Sequence, residues 1–164
     1  MSVDTITEIR QYLTFKLGDE VYALDVAKVR EVLDFTVLTK IPRTPEFMRG
    51  VINLRGNVVP VVDLRLTFGL TRTEKTVNTC IIVVEVDLEG EATVIGALAD
   101  SVEEVIDLEP EQIEAAPRIG TGIKTDFIRG MGKRESNFIM ILDIDKVFTA
   151  EDLAMVAGAQ AARV

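Results

Sequence analysis

A mainly β chain, built as two small closed barrels, is the fold class this sequence predicts, and three observations predict it. The chain is written twice. Phe47-Met48-Arg49-Gly50 recurs as Phe127-Ile128-Arg129-Gly130, and Val61-Val62-Asp63-Leu64 as Ile141-Leu142-Asp143-Ile144, with the shared displacement 127−47 = 143−63 = 80. Earlier in each copy, KVREVLDF (residues 28–35) matches SVEEVIDL (residues 101–108) at 102−29 = 73, so copy two carries an insertion of 80−73 = 7 residues. The second observation is that each copy offers about five short β-rich runs between turn residues and little helix. The third is size: units of roughly 60 to 70 residues are marginal when they stand alone, so the copies should pack on each other.

Taken in order, residues 1–11 read as a polar tail, and Tyr12 to Leu17 opens the β sequence. The turn Gly18-Asp19-Glu20 leads to a second strand at Val21 to Leu24. Between Val26 and Leu33, apolar residues fit both helical and alternating spacing; β-branched content favours a strand preceded by a short helical turn. Thr44-Pro45-Glu46-Phe47 places a capping residue before proline, which predicts one helical turn stopped by Gly50. Val51 to Leu54 and Val58 to Leu64 flank Arg55-Gly56-Asn57, and a central Gly-Asn pair suits a two-residue hairpin with glycine first. Pro60 cannot donate to a ladder, which predicts an edge strand or a bulge.

Copy two repeats the plan with strands near 80–87, 92–98, 102–108 and 137–144, and with a Gly-rich excursion from Ala115 to Gly122. Thr149 onward, with early acids and apolar residues at helical spacing, predicts a short amphipathic helix and a frayed tail over residues 151–164. The domain thus spans 12–150, with lobe one at about 12–78 and lobe two at about 79–150.

Charge and composition narrow the function classes. Eighteen basic against 27 acidic residues give a net charge of −9, which repels a phosphate backbone, and aromatics make up only 5%, so nucleic acid is not an expected partner. No run approaches the ~20 apolar residues a membrane span needs. With no signal pattern at the amino terminus and one cysteine, Cys80, in an apolar run, the chain is expected in the cytoplasm, without membrane insertion.

Catalysis has few tools here. The sequence has no histidine and no tryptophan, which removes most metal sites, histidine-based nucleophile systems and the commonest general base. Gly120-x-Gly122 and Gly130-x-Gly132 complete no nucleotide-binding spacing. Glu103 and Glu104 are adjacent on a predicted strand, so they face opposite sides and form no acid/base pair. No cofactor and no enzymatic activity are expected. Arg49, Asp63, Arg129 and Asp143 occur in both copies, and a repeated charge pair reads as a structural Arg–Asp contact. Arg55 is different: its counterpart at 135 is Glu, and a hairpin-tip arginine present in one copy only is a candidate for a task.

The run FMRGVINLRGNVVPVVDLR (47–65), with LTFKLGDEVYALDVAKVREVL before it and PEQIEAAPRIG and FIRGMG after it, closely resembles the CheW family of chemotaxis coupling proteins over nearly all of 12–150. The resemblance implies two interlocked five-stranded SH3-like barrels around a shared core and a non-catalytic adaptor. Its implied partners are the cytoplasmic tips of chemoreceptors and the regulatory domain of the CheA histidine kinase, in membrane-associated arrays that also permit ring contacts between copies. Carried over by position, Val29, Glu31 and Arg55 would face the receptor. Ile52, Val58 and Pro60 would form a first kinase contact, and Glu114 and Ile119 a second; relatives place a basic residue and an aromatic at that loop. The alternative is the same module in a receptor–kinase pathway for surface motility or second-messenger control.

Overall fold

The computed structural model describes residues 9–88, 90–115, 127–135 and 137–147. In chain order the strands are β1 (Arg10–Leu17), β2 (Glu20–Asp25), β3 (Val29–Asp34), β4 (Met48–Leu54), β5 (Asn57–Asp63), β6 (Cys80–Leu88), β7 (Glu91–Ala99), β8 (Ser101–Leu108), β9 (Ile113–Glu114), β10 (Ile128–Arg134) and β11 (Asn137–Leu142). One-turn helices α1 (Leu64–Thr67) and α2 (Ile144–Val147) follow β5 and β11, and a 3₁₀ turn, Val26–Lys28, precedes β3.

Two sheets result, ordered β8-β1-β2-β11-β10-β9 and β3-β6-β7-β5-β4. The repeat explains both orders. With β1, β2, β8, β10 and β11 written as the equivalents of β6, β7, β3, β4 and β5, the five-stranded order maps onto the first five strands of the other sheet. The parallel contacts are equivalent as well, β2 with β11 and β7 with β5. Each copy therefore lends its first hairpin to the other copy's sheet. A cut at residues 78/79 separates the sequence copies but not the sheets.

This interlocking accounts for the unbroken apolar runs. In β6, Ile81 and Val83 point into the core of the five-stranded barrel with Ile52, Val59, Val61 and Leu98. Cys80, Ile82, Val84 and Val86 point the other way, into a larger core shared by both barrels with Leu13, Phe15, Leu24, Leu64, Leu142 and Ile144. Tyr12, Ala23, Leu108, Ile139 and Ile141 fill the second barrel. A strand buried on both faces has no polar positions to alternate.

Several local expectations are corrected. Thr44 to Phe47 is a turn closed by Met48 N–H donating to the Pro45 carbonyl at 3.0 Å, not a helical turn. Gly50 does not stop a helix; it lies in β4 where the register against β5 slips, at φ 147°. A Cβ there would sit 2.7 Å from the Thr39 carbonyl oxygen, so glycine is demanded by contact and conformation together. The β4–β5 hairpin turns on Arg55 and Gly56 (φ 52° and 87°), a pair with both φ positive, rather than on Gly56-Asn57. β5 is an interior strand, not an edge. Pro60 is tolerated because it faces Val51, whose N–H and C=O both turn away to Thr39 at 2.8 and 3.0 Å, and because the ladder to β7 starts only at Val61. The tail before Ile9, the Gly-rich excursion beyond Ala115 and the helix at Thr149 lie outside the described residues.

Candidate functional site

β3 leaves the 3₁₀ turn with its residues alternating between half-buried and exposed, and a register slip against β6 between Val29 and Glu31 re-aims the Glu31 side chain. Arg55, lifted by the left-handed backbone of its turn, meets it. The guanidinium forks onto the carboxylate, Nη1 donating to Oε2 at 2.6 Å and Nη2 to Oε1 at 2.9 Å. That hydrogen-bonded contact holds the Glu31 carboxyl below the usual carboxylate range and raises the Arg55 guanidinium in turn. Arg30, beside them, is paired with Glu85.

The pair stands at the rim of a groove of about 350 Å³ lined also by Arg30, Leu54, Val58, Val83 and Val94. The structure thus brings Glu31, Arg55 and the half-buried Val58 together. Val29 packs instead against the shared core, and Ile52 and Pro60 are buried in β4 and β5. Glu114 is exposed on β9 beside Lys133, with which it pairs, on the far edge of the other sheet; Ile119 lies outside the described residues.

Of the repeated charged residues, Arg49 and Asp63 meet. Asp63 is fully buried and accepts from Arg49 Nη1 (2.8 Å), Thr73 N (3.0 Å), Thr73 Oγ1 (2.6 Å) and Arg65 N (3.1 Å). Arg129 and Asp143 form no ion pair among the described residues, which corrects the symmetrical expectation. In copy one Thr73, from the loop after α1, supplies two of the four donors to the carboxylate. Asp143 accepts from Asp145 N (3.2 Å) and has Lys146 at 4.0 Å. Burial, reinforced by the charge of Asp145, pushes the Asp143 carboxyl up.

Among the described residues no group of three or more His, Cys, Asp or Glu side chains could hold a metal ion, and no helix is long and apolar enough to cross a membrane. Glu103 and Glu104 are both exposed, and Arg134 Nη2 donates to Glu104 at 2.6 Å. Cys80 is buried, which pushes its thiol up to about 11 and removes it as a nucleophile at neutral pH.

A family model described as CheW-like domain matches residues 11–152, nearly the whole chain. The chain belongs to the CheW family. Within that family it is 35% identical to the chemotaxis protein CheW of Klebsiella aerogenes over 147 residues, covering 90% of this chain and 86% of that protein. It is 33% identical to the CheW of Rhizobium meliloti, covering 87% and 90%. The crystal structure of the scaffolding protein TtCheW from Thermoanaerobacter tengcongensis matches it with a TM-score of 0.76 at 37% identity, covering 87% of this chain and 94% of that one. The CheW fold of two interlocked barrels is therefore the frame that carries the groove.

Sequence reasoning missed Arg30, Leu54 and Val94 as groove residues, and it missed Glu104 and Arg134. The signal was present for Glu104, which is Glu31 displaced by 73, but not for Arg134, whose equivalent in copy one is Leu54.

Proposed function

We propose that this CheW-family chain is a non-enzymatic adaptor that couples the cytoplasmic tips of chemoreceptors to the regulatory domain of a CheA histidine kinase. Its working place is the cytoplasm beneath a membrane-associated receptor array. The observation that carries this reading is the forked Glu31–Arg55 pair at the groove rim. A forked charge pair, with Arg55 exposed and Glu31 half-buried, beside apolar Val58 suits recognition of a helical partner, since it offers a directional contact next to an apolar one.

Val29, Glu31 and Arg55 would meet the receptor. Val58, with Ile52 and Pro60 behind it, would form the first kinase contact, and Glu114 with Ile119 the second. Contacts of this size can be individually weak, because an array supplies avidity, and signalling then works by changed packing geometry that biases the kinase between states.

The test is titration calorimetry of the full chain against the regulatory domain of the cognate kinase, with Val58→Lys and Ile119→Ser alongside. Binding weakened by either substitution supports the reading and locates the surface. Absence of binding to any cognate kinase moves the chain to a different receptor pathway.

A further inference from the structure

The fold builds the groove twice. Applying the repeat to the first groove leads to a second, of about 320 Å³, on the other barrel, lined by Thr14, Val21, Glu104, Arg134, Phe138 and Ile139. Glu31 becomes Glu104, Val58 becomes Phe138 and Val59 becomes Ile139. An ion pair again spans the rim, now between Arg134 and Glu104 at 2.6 Å. Two features separate the grooves. Phe138 is 45% exposed where Val58 is half-buried, so the second groove presents an aromatic to solvent. Charge is reversed: Arg30 and Arg55 at the first rim become Glu103 and Glu135 at the second. The first rim (Arg30, Glu31, Arg55) sums to +1. The second (Glu103, Glu104, Arg134, Glu135) sums to −2, and no cation among the described residues pairs with Glu103 or Glu135.

We infer that this second groove docks a segment of another protein in which an apolar residue is flanked by lysine or arginine. The apolar residue would pack on Phe138 and Ile139, and its cationic flanks would meet Glu103 and Glu135. The occupant is argued from charge. The rim is anionic on a chain whose net charge is −9, so approach of a second copy is opposed while a cationic segment is steered in. An exposed aromatic at the centre of a polar rim supplies the anchor that such a contact needs. The site lies outside the receptor and kinase contacts proposed above, and its failure would leave those untouched.

The experiment is an ¹⁵N–¹H titration of the full chain with a 16-residue amphipathic peptide carrying leucines at helical spacing and lysines on its polar face. A twin with glutamate at each lysine is the control. The expected result is shifts confined to the amides of Thr14, Glu104, Arg134 and Phe138 with the cationic peptide alone, weakening as salt rises. Affinity should fall about tenfold or more in Glu103→Lys/Glu135→Lys and in Phe138→Ser, and be unchanged in Val77→Ser, an exposed apolar residue that lines neither groove. Equal binding of the two peptides, or shifts centred elsewhere, would overturn the proposal. So would self-association in sedimentation equilibrium that the same variants abolish, since the occupant would then be a second copy.

Discussion

Arg65 of α1 and Asp145 of α2 occupy equivalent positions 80 residues apart, and each pairs with a residue of the other half of the chain, Arg65 with Asp100 between β7 and β8 and Asp145 with Lys28 of the 3₁₀ turn. Arg65 Nη1 donates to Asp100 Oδ2 at 2.8 Å, and that same oxygen accepts from Gly18 N at 2.7 Å. Asp145 accepts from Lys28 Nζ at 2.8 Å and from Asp87 N at 2.8 Å. Opposite charges thus perform one task, pinning a one-turn helix to the junction between barrels. Arg65→Met is expected to lower stability by about 1–3 kcal/mol, because Asp100 loses its cation in a half-buried setting. Denaturant unfolding checks this, with an unchanged m-value showing that the fold persists.

Asp63 and Asp143 look interchangeable in sequence and should respond differently to mutation. Asp63→Asn breaks a fully buried carboxylate with four donors and should cost about 3–5 kcal/mol. Asp143→Asn should be neutral or stabilising at pH 7. The folded carboxyl of Asp143 is raised above its unfolded value, so its contribution is most favourable at acid pH and declines as pH rises through the window between the two values. Thermal melts of both variants at pH 4 and pH 7 separate these outcomes.

Arg55→Asp should abolish receptor control of kinase activity in reconstituted arrays while leaving the fold intact, since Arg55 is exposed at its hairpin tip. Partial recovery in Glu31→Arg/Arg55→Glu would show that the fork, rather than either charge alone, is recognised.

Gly50→Ala places a methyl against the Thr39 carbonyl at a φ that alanine avoids, and is expected to cost several kcal/mol. Gly56→Ala meets nothing within 4 Å, so only the φ of 87° counts, at about 1 kcal/mol. Urea midpoints of the two variants measure the difference.

The repeat made the duplicated barrels legible, and β-branched content placed β3 correctly after its 3₁₀ turn. What sequence could not supply was pairing. Pro60 reads as an edge residue until Thr39 is seen to take both backbone groups of Val51. Thr44-Pro45 reads as a helix start because its capping chemistry is shared with turns. The site was half legible: Arg55 stood out by its absence from copy two, but its fork to Glu31 depends on a register slip that no local pattern records. Arg129 and Asp143 misled because identity at equivalent positions does not fix the side-chain contacts: Arg49 reaches Asp63 at 2.8 Å, whereas among the described residues Asp143 accepts from Asp145 N and has Lys146 at 4.0 Å.

The exchanged first hairpins also set the order in which the molecule can form. Tyr22 of β2 finds its parallel neighbour only at Met140, 140−22 = 118 residues later. During synthesis the β1–β2 hairpin must therefore wait on the ribosome, one flank unpaired, until almost the whole chain has emerged. Such distant closure makes folding slow. It also means that two fragments divided in the loop between α1 and β6 would each be incomplete yet would assemble with one another, a protein joined from halves that have already traded their first strands.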